Sequence, residues 1–220
     1  MHREIYCVYG ASGFGREIMP LARQQLCSVG KQSASLVFVD DAAQPGQVCN
    51  GHRVMTLAEF LNEPADNRYA ALAIANSAVR EQLSARLEAS GVEAWSVRAA
   101  NVVVMDDVVL GEGALLSPFV TLTSNIVIGR QFHANIYSYV AHDCVVGDYV
   151  TFAPGVKCNG NVRIEDHAYI GTGAVLKQGK PGQPLVIGRG AVVGMGAVVT
   201  KNVPAGTTVV GSPARVMIKE

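Results

Sequence analysis

The sequence predicts two folds in one chain: a small α/β domain with a parallel sheet, followed by an all-β domain that winds as a parallel helix. The first prediction rests on strand-like and helix-like segments that alternate over residues 5–89. The second rests on apolar residues that recur at every sixth position from Leu110 to Leu176. We place the boundary between residues 97 and 98, which gives domains of residues 1–97 and 98–220.

Composition favours a folded protein with a sizeable core, because 49% of the residues are hydrophobic and only 16% are charged. No apolar run reaches the roughly 18 residues of a membrane span. The start, Met1-His2-Arg3-Glu4, contains an acid and does not resemble a secretory signal. The five cysteines are scattered and lack CxxC spacing, which favours reduced thiols over a zinc site. We therefore expect a cytoplasmic protein without a membrane partner.

Charge is balanced overall but not along the chain. The net charge is zero, yet from Lys177 onward the basic residues outnumber the single acid, Glu220. This excess could attract an anionic ligand, or it could be ordinary solvated charge. The basic residues are spread out and lack interleaved aromatics, so the sequence does not predict a nucleic-acid partner.

The first domain is predicted from three short apolar strands and two amphipathic helices. The strands are Ile5–Tyr9, Leu36–Val39 and Ala70–Ala75, and the helices are Arg16 to about Val29 and Ser77–Ala89. The glycine turn after the first strand reads Gly-x-x-Gly-x-Gly from Gly10 to Gly15, which is not the dinucleotide spacing. It could bring helix amides close to an anion or a sugar, or it could simply be a tight turn.

Two acids, Asp40 and Asp41, follow the second strand. Carboxylates at this position can accept hydrogen bonds from a ribose or a base, although a solvated turn would look the same. At this length the domain is too short for a complete dinucleotide fold.

The repeat in the second half has a period of six. Its first positions are all apolar or Cys: Leu110, Leu116, Leu122, Ile128, Ala134, Val140, Val146, Phe152, Cys158, Ile164, Ile170 and Leu176. A helix would repeat at about 3.6 and a simple strand at 2. Period six predicts short strands joined by corners, with three hexads in each 18-residue coil and coils stacked about 4.8 Å apart. The break at residues 177–186, rich in Gly and Pro, predicts a loop that projects from one corner.

The segment from Tyr139 to Asp148, which reads YVAHDCVVGD, resembles the NeuD/PglD type of bacterial sugar acetyltransferase. The glycine turn, Asp40-Asp41 and the ending Gly211-Ser212-Pro213-Ala214-Arg215 are similar to that family as well. The resemblance implies a left-handed β-helix and a nucleotide-sugar-binding first domain. It also implies acetyl-CoA as co-substrate and a homotrimer with its sites between subunits. The expected reaction is acetylation of the amine of a nucleotide-linked 4-amino-4,6-dideoxyhexose, for surface-glycan biosynthesis.

By the same resemblance, His142 is the general base and Asp143 the carboxylate beside it. The chemistry agrees, because acetyl transfer requires a proton to be removed near neutral pH and a carboxylate contact orients the imidazole. Gly160 lies 18 residues later, where its amide would contact the thioester carbonyl. The remaining expected contacts to the coenzyme are Thr151, Thr172, Gly194 and Met195. The expected contacts to the acceptor are Ser12, Gly13, Phe14, Asp40, Asp41, His133 and Asn135.

The chain departs from the family pattern at three points. Phe14 stands where relatives usually carry His, Ala75 replaces a glycine, and Thr151 stands where many members have a second histidine near the acetyl group. His133 lies 18 residues before Thr151, in the same phase of the hexad. We hypothesise that His133 lies beside Thr151, faces the same cleft as His142 and replaces the missing histidine.

The same residues bear on three other functions. O-acetylation of a sugar hydroxyl requires the same base, so the sequence does not separate it from N-acetylation. A non-catalytic β-helical binding module would have no need of His142, Asp143 and Gly160. A metal enzyme would need histidines stacked by whole coils, but His133, His142 and His167 are offset by 9 and 25 residues. We predict no metal.

Overall fold

The computed structural model describes residues 3–217 and separates into two compact units. The first runs from the N-terminus to Ala100 and includes Glu112–Leu115, and the second holds Asn101–Gly111 and the chain from Leu116 onward. The division of the chain into domains at residue 97 stays a prediction.

The first unit is a mostly parallel sheet with three helices. Its elements are β1 Glu4–Tyr9, α1 Gly13–Ser28, β2 Ser35–Val39, β3 Val48–Cys49, β4 His52–Met55, α2 Leu57–Asn62, β5 Asn67–Leu72, α3 Ser77–Ala89, β6 Val92–Ala94 and β7 Val97–Arg98. The sheet has the order β3-β4-β2-β1-β5-β6, and only β3 and β4 pair antiparallel. The predicted parallel sheet is confirmed.

Helices cover both faces of this sheet, and β1 shows how. Cys7 belongs to a core cluster with Leu83 of α3, whereas the next residue, Val8, belongs to a second cluster with Ile18 of α1. Successive side chains of a strand point to opposite faces, so a strand buried on both faces reads as an unbroken apolar run.

Several details of the first unit differ from the sequence prediction. The sheet has six strands where three are predicted, because β3, β4 and β6 are only two to four residues long. The third strand ends at Leu72 rather than Ala75, because Asn76 caps α3 by accepting hydrogen bonds from the amides of Ala78 and Val79. The prediction also lacks α2, although Thr56 and Glu59 form a complete capping box there. The helix is only six residues long, too short for its periodicity to be recognised.

The second half of the chain winds through short strands, as the hexads predict. They are β8 Val103–Val104, β9 Val108–Leu110, β10 Leu115–Leu116, β11 Thr121–Leu122, β12 Ile126–Ile128, β13 His133–Ala134, β14 Tyr139–Val140, β15 Val145–Val146, β16 Thr151–Phe152, β17 Lys157–Cys158, β18 Val162–Ile164, β19 Tyr169–Ile170, β20 Val175–Leu176, β21 Leu185–Ile187, β22 Val192–Val193, β23 Val198–Val199, β24 Thr208–Val210 and β25 Arg215–Val216.

The strands form three parallel sheets, one for each side of the coil. One contains the run β25-β24-β22-β19-β16-β13, the second has the order β23-β20-β17-β14-β11-β8, and the third β21-β18-β15-β12-β9; only the last pair, β24 and β25, is antiparallel. Pairing joins residues 18 apart, as in Thr121 with Tyr139 and Val127 with Val145. The predicted 18-residue coil is confirmed.

Left-handed backbone turns the chain at each corner. One corner stacks Asp107, Asn125, Asp143 and Asn161, all with φ between 54° and 59°. Asn and Asp tolerate this conformation better than other non-glycine residues. After β20 the offset between paired strands grows to 23 residues, as in Val162 with Leu185. The added residues form the predicted loop, in which Lys180 and Gln183 exchange two backbone hydrogen bonds.

Candidate active site

His142 and Asp143 form a hydrogen-bonded pair at the corner between β14 and β15. His142 Nδ1 lies 2.7 Å from Asp143 Oδ2, and both side chains are about half exposed, at 49% and 48%. Because the carboxylate occupies Nδ1, the nitrogen that remains to act on a substrate is Nε2.

Gly160 packs against the imidazole from the next coil. A Cβ at residue 160 would lie 2.5 Å from Cε1 and 2.6 Å from Nε2 of His142, so only glycine fits without moving the ring. The Gly160 carbonyl accepts a hydrogen bond from the Gly179 amide at 3.0 Å. Within residues 3–217 the Gly160 N–H has no hydrogen-bond acceptor, and the residue is buried against the imidazole ring.

A buried thiol ties these two segments together. Cys144 Sγ lies 3.3 Å from the Asn159 carbonyl oxygen and 3.6 Å from that of His142, and it accepts from the Val162 amide at 3.4 Å. A hydrogen bond from the Cys158 thiol lowers the pKa of Cys144 and raises that of Cys158. From the sequence both cysteines are expected only to be reduced thiols, since their apolar phase in the hexad is their only signal.

Tyr139 fixes the residue that precedes Gly160. Its hydroxyl donates to Asn159 Oδ1 at 2.9 Å, and Asn159 Nδ2 donates to the Leu176 carbonyl at 2.8 Å. Partial burial raises the pKa of Tyr139, so the phenol keeps its proton at neutral pH. Both ends of the Asn159 amide are thus engaged.

The structure places His133 beside Thr151 in paired strands, as the 18-residue offset predicts. Both side chains are enclosed, with His133 0% and Thr151 5% exposed, whereas His142 is half exposed. Asn135 donates from Nδ2 to the Phe152 carbonyl at 2.8 Å. The proximity is confirmed, but the burial gives no support to a cleft shared by His133 and His142. The roles of these three residues stay predictions.

The residues predicted to line the coenzyme channel differ in exposure. Met195 is 81% exposed and Thr172 is exposed as well. Gly194 has a packing reason of its own, because a Cβ there would lie 2.7 Å from Cγ1 of Val210. Met195 and Thr172 are therefore free to contact a ligand, while Gly194 is required by the coil itself.

In the glycine turn of the first unit, some positions require glycine for the turn itself and one has free space around it. Gly10 has φ of 102°, and a Cβ at Gly15 would overlap the Gly10 carbonyl oxygen, so these two glycines make the turn possible. A Cβ at Gly13 would meet no atom within 4 Å. Ser12 is the N-cap residue of α1 but its side chain makes no capping hydrogen bond. Phe14 is partly buried against the adjoining core cluster.

Asp40 and Asp41 have different partners. Asp40 accepts from the amides of Ala11 at 2.9 Å and Ala42 at 3.0 Å, so its carboxylate holds the glycine turn in place. Asp41 accepts from the Tyr9 hydroxyl at 2.9 Å and is exposed. Burial, together with this hydrogen bond, raises the pKa of Tyr9. Asp40 therefore supports the turn, and Asp41 is the more accessible of the two acids.

The described part of the chain has neither a membrane-spanning helix nor a cluster of metal ligands. Among residues 3–217 no helix is long and apolar enough to cross a membrane. In the same range no three His, Cys, Asp or Glu side chains come together as a metal site.

A stacked-hexad β-helix with a His–Asp pair above a glycine amide defines the class, a hexapeptide-repeat acyltransferase. A family model described as the PglD N-terminal domain matches residues 6–87. GDP-perosamine N-acetyltransferase of Escherichia coli O157:H7 is 54% identical over 213 residues, or 97% of this chain and 96% of that protein. The chain thus belongs to the NeuD/PglD-like family of sugar acetyltransferases.

Solved structures agree with this assignment over almost the whole chain. WeeI from Acinetobacter baumannii AYE is 61% identical with a TM-score of 0.93, covering 97% of this chain and 100% of that one. The acetyltransferase domain of PglB from Neisseria gonorrhoeae FA1090, in complex with acetyl coenzyme A, is 29% identical with a TM-score of 0.85, covering 99% and 100%. The predicted left-handed β-helix and acetyl-CoA-dependent acetyltransferase are confirmed.

Proposed function

We propose that the protein transfers the acetyl group of acetyl-CoA to the amine of a nucleotide-linked 4-amino-4,6-dideoxyhexose, with GDP-perosamine as the first candidate, and that the product serves surface-glycan biosynthesis. The main support for the sugar is the 54% identity to a GDP-perosamine N-acetyltransferase along nearly the full length of both chains. The observation that carries the chemistry is the half-exposed His142, engaged through Nδ1 by Asp143 and lying against Gly160.

In this proposal the nitrogen of the sugar amine bonds to the thioester carbonyl carbon. At the same time His142 Nε2 takes one proton from that amine. The Gly160 N–H donates to the carbonyl oxygen as negative charge builds on it. When the carbon–sulfur bond breaks, the imidazolium returns its proton to the leaving thiolate. Asp143 stabilises the imidazolium through Nδ1 and keeps Nε2 turned toward the amine.

Direct transfer fits the described side chains better than an acyl-enzyme. The cysteines that pack beneath the site, Cys144 and Cys158, are 1% and 0% exposed, so a bound thioester reaches neither sulfur, even though the pKa of Cys144 is lowered. A thiol nucleophile must be reached by the thioester and be readily deprotonated. We therefore expect both substrates to be bound at the same time.

For the first unit we propose nucleotide-sugar binding at the glycine turn. The start of α1 lacks a side-chain cap at Ser12, and helix amides there suit a diphosphate. The open space at Gly13 would let the ligand approach the backbone. The exposed Asp41 is suited to accept hydrogen bonds from a ribose or a base, and Asp40 keeps the turn in shape.

For the second unit we propose that Thr172 and Met195 contact the coenzyme and that the protein forms a homotrimer. Self-association is supported by a row of exposed valines on the third sheet, Val109, Val127 and Val145, which are 62%, 49% and 42% exposed. Single exposed apolar residues are ordinary, whereas a contiguous row favours an interface. Light scattering on the purified protein would measure the oligomeric state.

The deciding experiment is a substrate screen with purified protein and acetyl-CoA. GDP-perosamine is compared with UDP- and dTDP-linked 4-amino sugars and with acceptors that offer only hydroxyl groups. We expect amine-dependent release of coenzyme A, fastest with the GDP-linked sugar. Faster turnover with hydroxyl acceptors would overturn N-acetylation, and a preference for another nucleotide would overturn the choice of GDP.

A further inference from the structure

The corner that carries Asp143 holds one more polar side chain in contact with the pair. Asn125 stands one coil earlier with the same left-handed backbone, φ of 58° against 59° at Asp143. Its Nδ2 donates to Asp143 Oδ1 at 3.5 Å, while Oδ2 of the same carboxylate lies 2.7 Å from His142 Nδ1. Asn125, Asp143 and His142 therefore form a continuous chain of contacts across two coils.

This contact has a physical consequence for an exposed carboxylate. The Asp143 side chain is about half exposed, so a single contact with His142 leaves other orientations open to it. A donor on Oδ1 favours the orientation in which Oδ2 meets Nδ1. A neutral amide also stabilises the charged carboxylate without taking a proton from the imidazole. At 3.5 Å the bond is long, so its effect should be modest.

We propose that Asn125 is a positioning residue for the acetyl-transfer reaction, acting through Asp143 to orient His142. The inference rests on the proposed function, since it assumes that His142 is the base. It concerns a residue outside the predicted set of site residues, because the sequence does not reveal which corner side chains touch across coils.

The titratable groups around the imidazole are few among the described residues. Asp143 faces it from the same corner, and Cys144 lies beneath it in the core with Cys158 behind. Asp107 stands at the same corner one coil before Asn125. The cysteines and Asp143 are unchanged in the variants below, so they contribute equally to every pH profile compared.

The test uses two substitutions of Asn125 and one matched control in the full-length enzyme, with acetyl-CoA and GDP-perosamine as substrates. Asn125→Gly removes the amide but suits the left-handed backbone. Asn125→Asp keeps the shape, removes the donor and adds a negative charge next to Asp143. Asp107→Gly makes the same backbone change at the same corner, one coil away from Asn125.

We expect Asn125→Gly to lower kcat about three- to tenfold, the range for one ordinary hydrogen bond, because the contact with the carboxylate is long; the KM for acetyl-CoA should change little. Asn125→Asp should move the acidic limb of the kcat/KM profile upward by about half a pH unit, because added negative charge favours the imidazolium. The shift should shrink in high salt. Asp107→Gly should leave both parameters near the values of the unmodified enzyme.

An unchanged kcat in Asn125→Gly, or an acidic limb that does not move in Asn125→Asp, would overturn the inference. So would an equal loss in Asp107→Gly, which would indicate a general effect on the corner. His142→Ala separates this failure from failure of the proposed function. If His142→Ala is nearly inactive while the Asn125 variants are normal, only the role of Asn125 is wrong; if His142→Ala is fully active, the proposed mechanism is wrong as well.

Discussion

The imidazole of His142 lies directly against the α-carbon of Gly160, and the two residues are one coil apart. A methyl group at residue 160 would occupy the space of the ring rather than that of the backbone. His142 is half exposed, so the ring can swing outward at little cost to the fold. The contact is therefore dispensable for stability, whereas the proposed alignment of Nε2 with the Gly160 amide depends on it.

Gly160→Ala should accordingly lower kcat by a factor of about 100 or more, while the melting temperature changes by only about 2 °C. The backbone at Gly160 is not left-handed, so alanine introduces no strain of its own there. Gly206→Ala provides the converse control, because its φ of 66° is strained for alanine although nothing lies within 4 Å. Gly206→Ala should lose stability and keep activity; an active Gly160→Ala enzyme would contradict the geometry we describe.

Loss of His142, the proposed base, should have the largest kinetic effect. His142→Ala is expected to reduce kcat by about 10²–10⁴, with a smaller effect on coenzyme binding. Asp143→Asn should be milder and should move the acidic limb of the rate profile to lower pH, because a negative charge next to the imidazole is removed. Steady-state kinetics from pH 5 to 9 measure both effects. If the acidic limb of the pH–rate profile persists in His142→Ala, a titrating group other than His142 produces it.

Replacing the two acids of the first unit one at a time should separate an effect on stability from an effect on acceptor binding. Asp40→Ala removes the acceptor of the Ala11 and Ala42 amides, so we expect a stability loss of about 1–3 kcal/mol together with weaker acceptor binding. Asp41→Ala should weaken acceptor binding with little change in stability. Denaturant unfolding and calorimetry with GDP-perosamine measure the two quantities. Loss of acetyl-CoA binding in either variant would contradict the assignment of substrates to the two units.

The two buried thiols offer a matched pair of substitutions. Cys144→Ala and Cys158→Ala remove the same atoms from the same core, and each should cost about 1–3 kcal/mol of stability. Only Cys144 contacts the carbonyls of both His142 and Asn159. We therefore expect kcat to fall several-fold more in Cys144→Ala than in Cys158→Ala. If the two variants lose the same kcat and the same stability, Cys144 has no specific role in aligning the site.

The capping box of α2 should contribute a pH-dependent part of the stability. Hydrogen bonds from the Thr56 backbone and side chain lower the pKa of Glu59 below its ordinary 4.5. Its contribution is thus present above that value and is lost as the pH falls through the lowered pKa of the folded state. Glu59→Gln should reduce the melting temperature at pH 7 but not near pH 3. Glu88→Gln, an exposed residue of α3, is the control; a difference that persists at pH 3 would contradict the electrostatic origin.

Sequence reasoning succeeded where the repeat determines position. A strict period of six places residues 18 apart in register, so the proximity of His142 to Gly160 and of His133 to Thr151 could be predicted. It failed where the outcome depends on side-chain direction at a corner or on short local elements. The burial of His133, the contact of Asn125 with Asp143 and the role of Asp40 in the glycine turn depend on rotamers and neighbours that periodicity does not encode.

The placement of His142 and Gly160 in adjacent coils also bears on how the enzyme can change in evolution. In a solenoid each repeat contacts only its neighbours, so stability is approximately a sum of terms between adjacent repeats. The proposed catalytic pair spans a single such junction, and the loop after β20 is held near its start by a hydrogen bond from the Gly179 amide to the Gly160 carbonyl. Coils can therefore be gained or lost elsewhere in the solenoid, and this loop can vary in length, while the spacing between base and amide stays the same.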